Sequence, residues 1–305
     1  MQLGRVMRRM VSAFGWAFAL AVVSCGGGGG GGGGAALPVL PVAPATPAAQ
    51  PAAPPAEPVA EPAQPSTAPG RVVSDTITSA KTGATYPLQI YLPASYDTGS
   101  TAYPVIYAMD GDAIFNPPGT RFDNFRQTLD TRHTQAVMVG IGGTSRRETD
   151  YLLPGARSYH DFLTQELVPF IEAKYRADTK KRMLTGLSLS GSMAGVALLL
   201  EGASGTLTFS YFLSFEGSFD SQTDQNNDLE QKMFDALAGK PLPATLMLTR
   251  CDNPRECNFG NVDDMYKRLL ARAYPQFVVT ETTYSTIHVA TDIPSFNDAV
   301  TKLLP

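Results

Sequence analysis

Apolar positions are spread unevenly along the chain. From position 71 onward, short apolar runs alternate with segments of helical spacing, whereas residues 26–70 contain almost no large side chains. Residues 72–79 and 88–92 read as β-strands joined by a turn at 81–85. Residues 105–109 and 136–141 are apolar runs that stop at Asp110-Gly111-Asp112 and at Gly142-Gly143. Such endings are typical of buried parallel strands with ligand loops at their carboxyl ends. Tyr159, Phe162, Leu163, Leu167, Phe170, Ile171 and Tyr175 recur at steps of three and four, which predicts a helix over 158–175. Residues 182–187 form the next strand, and 193–200 is small and apolar, as in a buried helix. Residues 208–215, 244–249 and 277–283 read as further strands, and 261–273 and 294–304 as helices. This alternation predicts an α/β fold, a doubly wound and mostly parallel sheet flanked by helices. No internal repeat is visible.

Composition divides the chain. Arg5, Arg8 and Arg9 precede an apolar run over 10–23 that ends in Val22-Val23-Ser24-Cys25. The run is short for a transmembrane helix and has the length of a signal-peptide core. The tetrapeptide resembles a bacterial lipobox, which makes residues 1–24 a lipoprotein signal peptide and Cys25 the lipidated first residue. Gly26 follows where inner-membrane retention favours Asp, which points to the outer membrane, with the domain facing the periplasm. The Gly/Pro/Ala-rich stretch 25–70 cannot bury enough apolar area to offset its ordering entropy, and reads as a disordered tether. Residues 71–305 are then one catalytic domain. The net charge of −4 lacks the basic character of nucleic-acid binders. Cys251 and Cys257 can pair locally in an oxidising compartment or remain free thiols; without a nearby His or further Cys they make a poor zinc site.

Gly186-Leu187-Ser188-Leu189-Ser190 follows the nucleophile elbow G-x-S-x-G of α/β-hydrolases except at Ser190. The chemistry needs a strand, a strained turn and a helix, so that the serine hydroxyl stands above the sheet. Serine also needs a general base. Of His133, His160 and His288, only His288 fits the chain order serine, acid, histidine. Asp252, just after strand 244–249, is the expected acid that orients it, with Glu256, Asp263 and Asp264 as rivals. Leu189 N–H is one expected oxyanion donor. Asp112 N–H is the other, turned inward by an unusual backbone angle at Gly111. A simple turn there is the competing reading.

The segments Tyr103 to Gly111, Arg147-Glu148-Thr149-Asp150-Tyr151 and Tyr159 to Gly191 resemble the putative-esterase family of α/β-hydrolases. That family takes in esterase D-like enzymes, trilactone-siderophore esterases and the antigen 85 acyltransferases. The resemblance implies a serine esterase with the triad Ser188, His288 and Asp252, needing no metal or organic cofactor. Its expected partner is a small-molecule ester, with the membrane met only through the lipid anchor. It places Arg147 at the substrate entrance, where it would attract an anion or pair with Asp150. Glu216, in Ser214-Phe215-Glu216-Gly217-Ser218-Phe219, is expected on the substrate side. Siderophore esterases often carry tryptophans at that segment, yet the one tryptophan here is Trp16. An acyltransferase, or a silent binding lipoprotein of the same fold, would share most of these features.

Overall fold

A computed structural model of the protein describes residues 69–304. The signal peptide expected at 1–24, the lipidation at Cys25 and all but the last two residues of the tether expected at 25–70 lie outside the described residues. Eight strands form one sheet: β1 (Arg71–Thr78), β2 (Thr85–Leu92), β3 (Tyr103–Ala108), β4 (Val137–Ile141), β5 (Ala177–Leu187), β6 (Tyr211–Phe215), β7 (Thr245–Cys251) and β8 (Val278–Tyr284). Their order is β1-β2-β4-β3-β5-β6-β7-β8. β1, β2 and β4 pair antiparallel, and every pair from β4 through β3 to β8 is parallel. This is the doubly wound α/β-hydrolase arrangement the sequence predicts.

The period-2 alternation of the central strands feeds two cores. In β3, Val105 and Tyr107 face one layer while Ile106 and Ala108 face the other. Helix α1 (Arg121–Thr131) and the final helix, Asp292–Leu303, cover the second face with Phe122, Phe125, Leu129, Phe296 and Val300. Phe125 stacks on Phe296 with centroids 3.7 Å apart. The first face is covered by α2 (Arg147–Tyr151), α3 (Gly155–Asp161), α4 (Val168–Lys174), α5 (Leu189–Ser204), α6 (Thr223–Leu237) and α7 (Phe259–Arg272). α8 spans Asp292–Leu303.

The helix expected at 158–175 exists, broken by a π-helical segment at Phe162–Leu167 between α3 and α4. Three helices had no predicted counterpart: the short α2 (Arg147–Tyr151), α1 and α6. α1 starts from a capping box in which Thr120 and Asp123 satisfy each other's backbone N–H. α6 is rich in Asp, Asn and Gln but buries Leu229, Met233 and Leu237 on one face. Among the described residues, no helix is long and apolar enough to cross a membrane.

Candidate active site

Parallel register aligns the strand ends that carry the polar residues. Leu187 of β5 pairs with Phe215 of β6, which pairs with Thr249 of β7. The next residues, Ser188 and Glu216, are tied across the same edge: Ser188 N–H donates to Phe215 O (3.0 Å) and Glu216 N–H to Thr249 O (2.8 Å). Ser188 has φ 62° and ψ −119°, a strained conformation for an L-residue, and α5 begins immediately after it. A Cβ on Gly186 would lie 2.2 Å from the Ser190 carbonyl carbon, and one on Gly191 would lie 2.5 Å from Phe215 O. Those two positions carry the close approaches. Ser190 is tolerated because its buried hydroxyl turns back, accepting from Leu187 N–H (2.8 Å) and donating to Leu187 O (2.9 Å). Leu189 N–H belongs to the first turn of α5, which has no intrahelical acceptor.

Glu216 faces His288. Its side chain is fully buried, and Oε2 lies 2.8 Å from His288 Nδ1. Oε2 also accepts from Asn258 N–H (2.9 Å) and Oε1 from Cys251 N–H (2.6 Å). An oxygen already accepting a backbone N–H is an acceptor toward the imidazole too, so Nδ1 donates and Nε2 is left to accept. This corrects two expectations. Asp252 does not reach His288: its N–H donates to Tyr284 O (3.0 Å) and its side chain is exposed. Glu216 is not on the substrate side, because the sheet edge buries it behind the imidazole. Glu256 is exposed in the 251–257 loop, and Asp263 holds Lys267 on α7.

Polar contacts run unbroken from Ser188 to His288. Ser188 Oγ is 3.1 Å from Ser218 Oγ, which accepts from Asn258 Nδ2 at 3.0 Å. Asn258 Nδ2 also donates to Glu216 O at 2.7 Å. Cys251 and Cys257 are joined as a disulfide, with Cα atoms 5.6 Å apart, and this clasp is flanked by both N–H groups that meet Glu216. Donor atoms of Glu216, Cys251 and Cys257 lie within 4.8 Å of one another. Joined sulfurs offer no thiolate, so the cluster does not fit a metal.

The loop after β3 differs in detail from expectation. Positive φ falls on Asp110 (56°), not on Gly111, whose missing Cβ instead admits Gly140 Cα at 2.8 Å. Gly111 N–H donates to Ile141 O and Ala113 N–H to Asp110 O, while among the described residues Asp112 N–H meets no acceptor. The Asp112 carboxylate ties this loop to the end of β4 through Gly143 N–H (2.9 Å) and Thr144. Arg147 pairs with buried Asp110 (3.0 Å) and Leu187 O (2.9 Å), not with Asp150, which holds Arg146. With those two bonds its guanidinium is directed into the fold, over the Phe115 ring. Burial pushes the Asp110 carboxyl above the ordinary aspartate range, opposed chiefly by Arg147.

Below the site, Arg121 and Asp292 form a fully buried pair, 0% and 2% exposed. Arg121 Nε donates to Asp292 at 2.9 Å, and its other nitrogens reach Met109 O, Thr185 O and Thr185 Oγ1. Asp292 opens α8 four residues after His288, so the pair anchors the histidine segment to β3 and β5. Asn116 Nδ2 adds a bond to Val289 O (2.9 Å). His133 lies in the turn before β4, at the opposite sheet edge, and His160 pairs with buried Glu201 on α5 (3.1 Å). A groove of about 620 Å³ lies between α6 and α7, and none of Ser188, Glu216 and His288 lines it.

The family model described as putative esterase matches residues 79–204, which contain the elbow. The ferri-bacillibactin esterase BesA of Bacillus subtilis is 29% identical over 164 residues, 44% of this chain and 55% of the relative. The Bacillus subtilis protein YbbA is 27% identical over 145 residues, 40% of this chain and 56% of that one. The chain thus spans about half the length of the curated relatives it matches. Among solved structures, an IroE-like serine hydrolase from Shewanella oneidensis shares the fold with a TM-score of 0.64 at 20% identity, covering 77% of this chain and 80% of that one. Siderophore hydrolase EstA from Aspergillus nidulans gives 0.64 at 19% identity, covering 80% and 97%. Both similarities hold for the backbone architecture.

Proposed function

We propose that the protein is a serine hydrolase of carboxylic esters, with Ser188 as nucleophile, His288 as general base and Glu216 as the acid that orients it. The observation that carries this reading is the His288–Glu216 pair at the strand end beside a serine held in a strained elbow. Glu216 holds the Nδ1–H tautomer, which leaves Nε2 to take the Ser188 proton as the hydroxyl attacks the ester carbonyl. The Leu189 and Asp112 N–H groups stabilise the oxyanion of the tetrahedral intermediate. His288 then protonates the leaving alcohol. Water, activated by the same imidazole, hydrolyses the acyl-enzyme and returns the proton to Ser188.

The substrate is a small-molecule ester. Similarity to a ferri-bacillibactin esterase favours a siderophore-type ester; the lack of tryptophan from 71–305 weighs against an aromatic platform for it. The Cys25 motif and the tether composition support an exported, lipid-anchored protein of the cell envelope. A fluorophosphonate probe tests the chemistry: adduct mass on Ser188, absent in Ser188→Ala, is the expected result. Folded protein that remains unlabelled while control serine hydrolases react would refute it.

A further inference from the structure

We infer that Ser218 is a second hydroxyl acting on the nucleophile, and that Asn258 sets the direction in which it acts. The inference rests on Ser188 being the nucleophile. Asn258 Nδ2 lies 2.7 Å from Glu216 O, a carbonyl that can only accept, so that end of the amide is its donor. The same nitrogen is 3.0 Å from Ser218 Oγ, which therefore accepts from it. Ser218 has one hydrogen, and its remaining partner is Ser188 Oγ at 3.1 Å. Ser188 Oγ is, among the described residues, the acceptor within reach of that hydrogen, and satisfying it makes Ser218 the donor to Ser188 Oγ.

Two facing serine hydroxyls left to themselves have two polarities. In one, Ser188 gives its proton to Ser218 and the imidazole loses it as a partner. In the other, Ser188 accepts from Ser218 and its own proton is free for His288 Nε2. By filling one acceptor site of Ser218, Asn258 favours the second, in which the Ser218 hydrogen is also satisfied. Ser218 N–H donates to Ser188 O (3.0 Å), which fixes the two residues against each other. As Ser188 Oγ gives up its proton, the Ser218 bond changes from neutral to charge-assisted. It strengthens only on the way to the transition state, and such a difference is worth about tenfold in rate. Ser218 touches the reacting oxygen and is catalytic; Asn258, one residue beyond the disulfide clasp, is a positioning residue.

The test compares wild type, Ser218→Ala and Asn258→Asp by the rate of fluorophosphonate labelling and by kcat and KM on a chromogenic ester, with thermal unfolding as the folding control. Ser218→Ala should label and turn over about tenfold more slowly with KM unchanged. Asn258→Asp keeps the side-chain shape but offers an acceptor. It draws the Ser218 proton away from Ser188 and should lower kcat at least as far, again without a change in KM. If Ser218→Ala does not fold, Ser218→Cys, a weaker donor of similar size, takes its place; a loss in Asn258→Asp supports the relay only beside a loss at Ser218, because Asn258 also bonds Glu216. Labelling at the wild-type rate in the folded variants overturns the relay and leaves the nucleophile standing. A fall in kcat matched by a rise in KM also overturns it, since that marks a distorted site. A wild type that never labels overturns the nucleophile and the relay together.

Discussion

Replacing Glu216 by Gln tests the site at its least visible member. Glu216 Oε2 and His288 Nδ1 are 2.8 Å apart, which puts the charge centres about 4 Å apart once the imidazole has taken a proton. At an effective dielectric near 20 that attraction is roughly 4 kcal/mol, or on the order of a thousandfold in rate. The imidazole side chain is 25% exposed, so water screens part of the attraction. We expect kcat to fall about 10²- to 10³-fold. Gln also turns an N–H toward one of three donors, Cys251 N–H, Asn258 N–H or His288 Nδ1–H. That mismatch should lower stability by about 1–3 kcal/mol. Asp252→Asn alters an exposed side chain and should change kcat by no more than about twofold. The assay is steady-state hydrolysis of a chromogenic ester, normalised to active sites by fluorophosphonate titration. A larger loss in Asp252→Asn than in Glu216→Gln would refute the assignment and restore the acid to the end of β7.

The remaining predictions concern the supports of the site. Reducing the Cys251–Cys257 clasp, with its separation of 6 residues, should cost about 2 kcal/mol in urea unfolding. It should also lower kcat, because donors on both sides of the clasp hold Glu216; fully reduced protein, verified by thiol count, with unchanged kcat would contradict this. Arg121→Met strands the buried Asp292 carboxylate and should destabilise the domain by about 3–5 kcal/mol, while Arg121→Met with Asp292→Leu should recover most of it. Equal denaturation midpoints for the single and double variants would count against that reading. Burial holds the native Asp110 carboxyl above its usual range, whereas the unfolded chain releases that proton near pH 4. The stability of wild type relative to Asp110→Asn should therefore fall as pH rises from about 4 through the native pKa. Unfolding curves across that window would expose a rising difference as the wrong sign.

The fold was legible because its central strands are buried on both faces and read as apolar runs, while the segment 158–175 keeps a clear 3.6-residue period. α1 was overlooked although Phe122, Phe125 and Leu129 carry the spacing, because Pro117, Pro118 and Gly119 mark the region as loop. The acid was the harder problem. Glu216 and Asp252 both follow a strand and both lie between Ser188 and His288 in the chain. Order cannot rank them; burial and side-chain direction do. A usable signal existed, since Glu216 is flush with the apolar run Phe212-Leu213-Ser214-Phe215, where a carboxylate is costly unless partnered. Ser218 and Asn258 gave no such signal. They are ordinary loop residues until the β6 and β7 ends bring them together. Gly111 drew attention as the flexible residue, yet its lack of a side chain serves packing against Gly140 and the left-handed turn falls on its neighbour.

Asp110, Ser188 and Glu216 all have positive φ, and each directly follows, or lies one residue beyond, the end of one of three adjacent strands. The shape of this edge is thus written into the main chain. Transplanting the same side chains onto a relaxed sheet would copy the chemistry without the scaffold angles that aim it. Conversely, a domain that kept these three kinks after losing its reactive groups would remain a short mutational path from regaining them. Efforts to redirect the protein toward new substrates should leave these turns untouched and vary the loops above them.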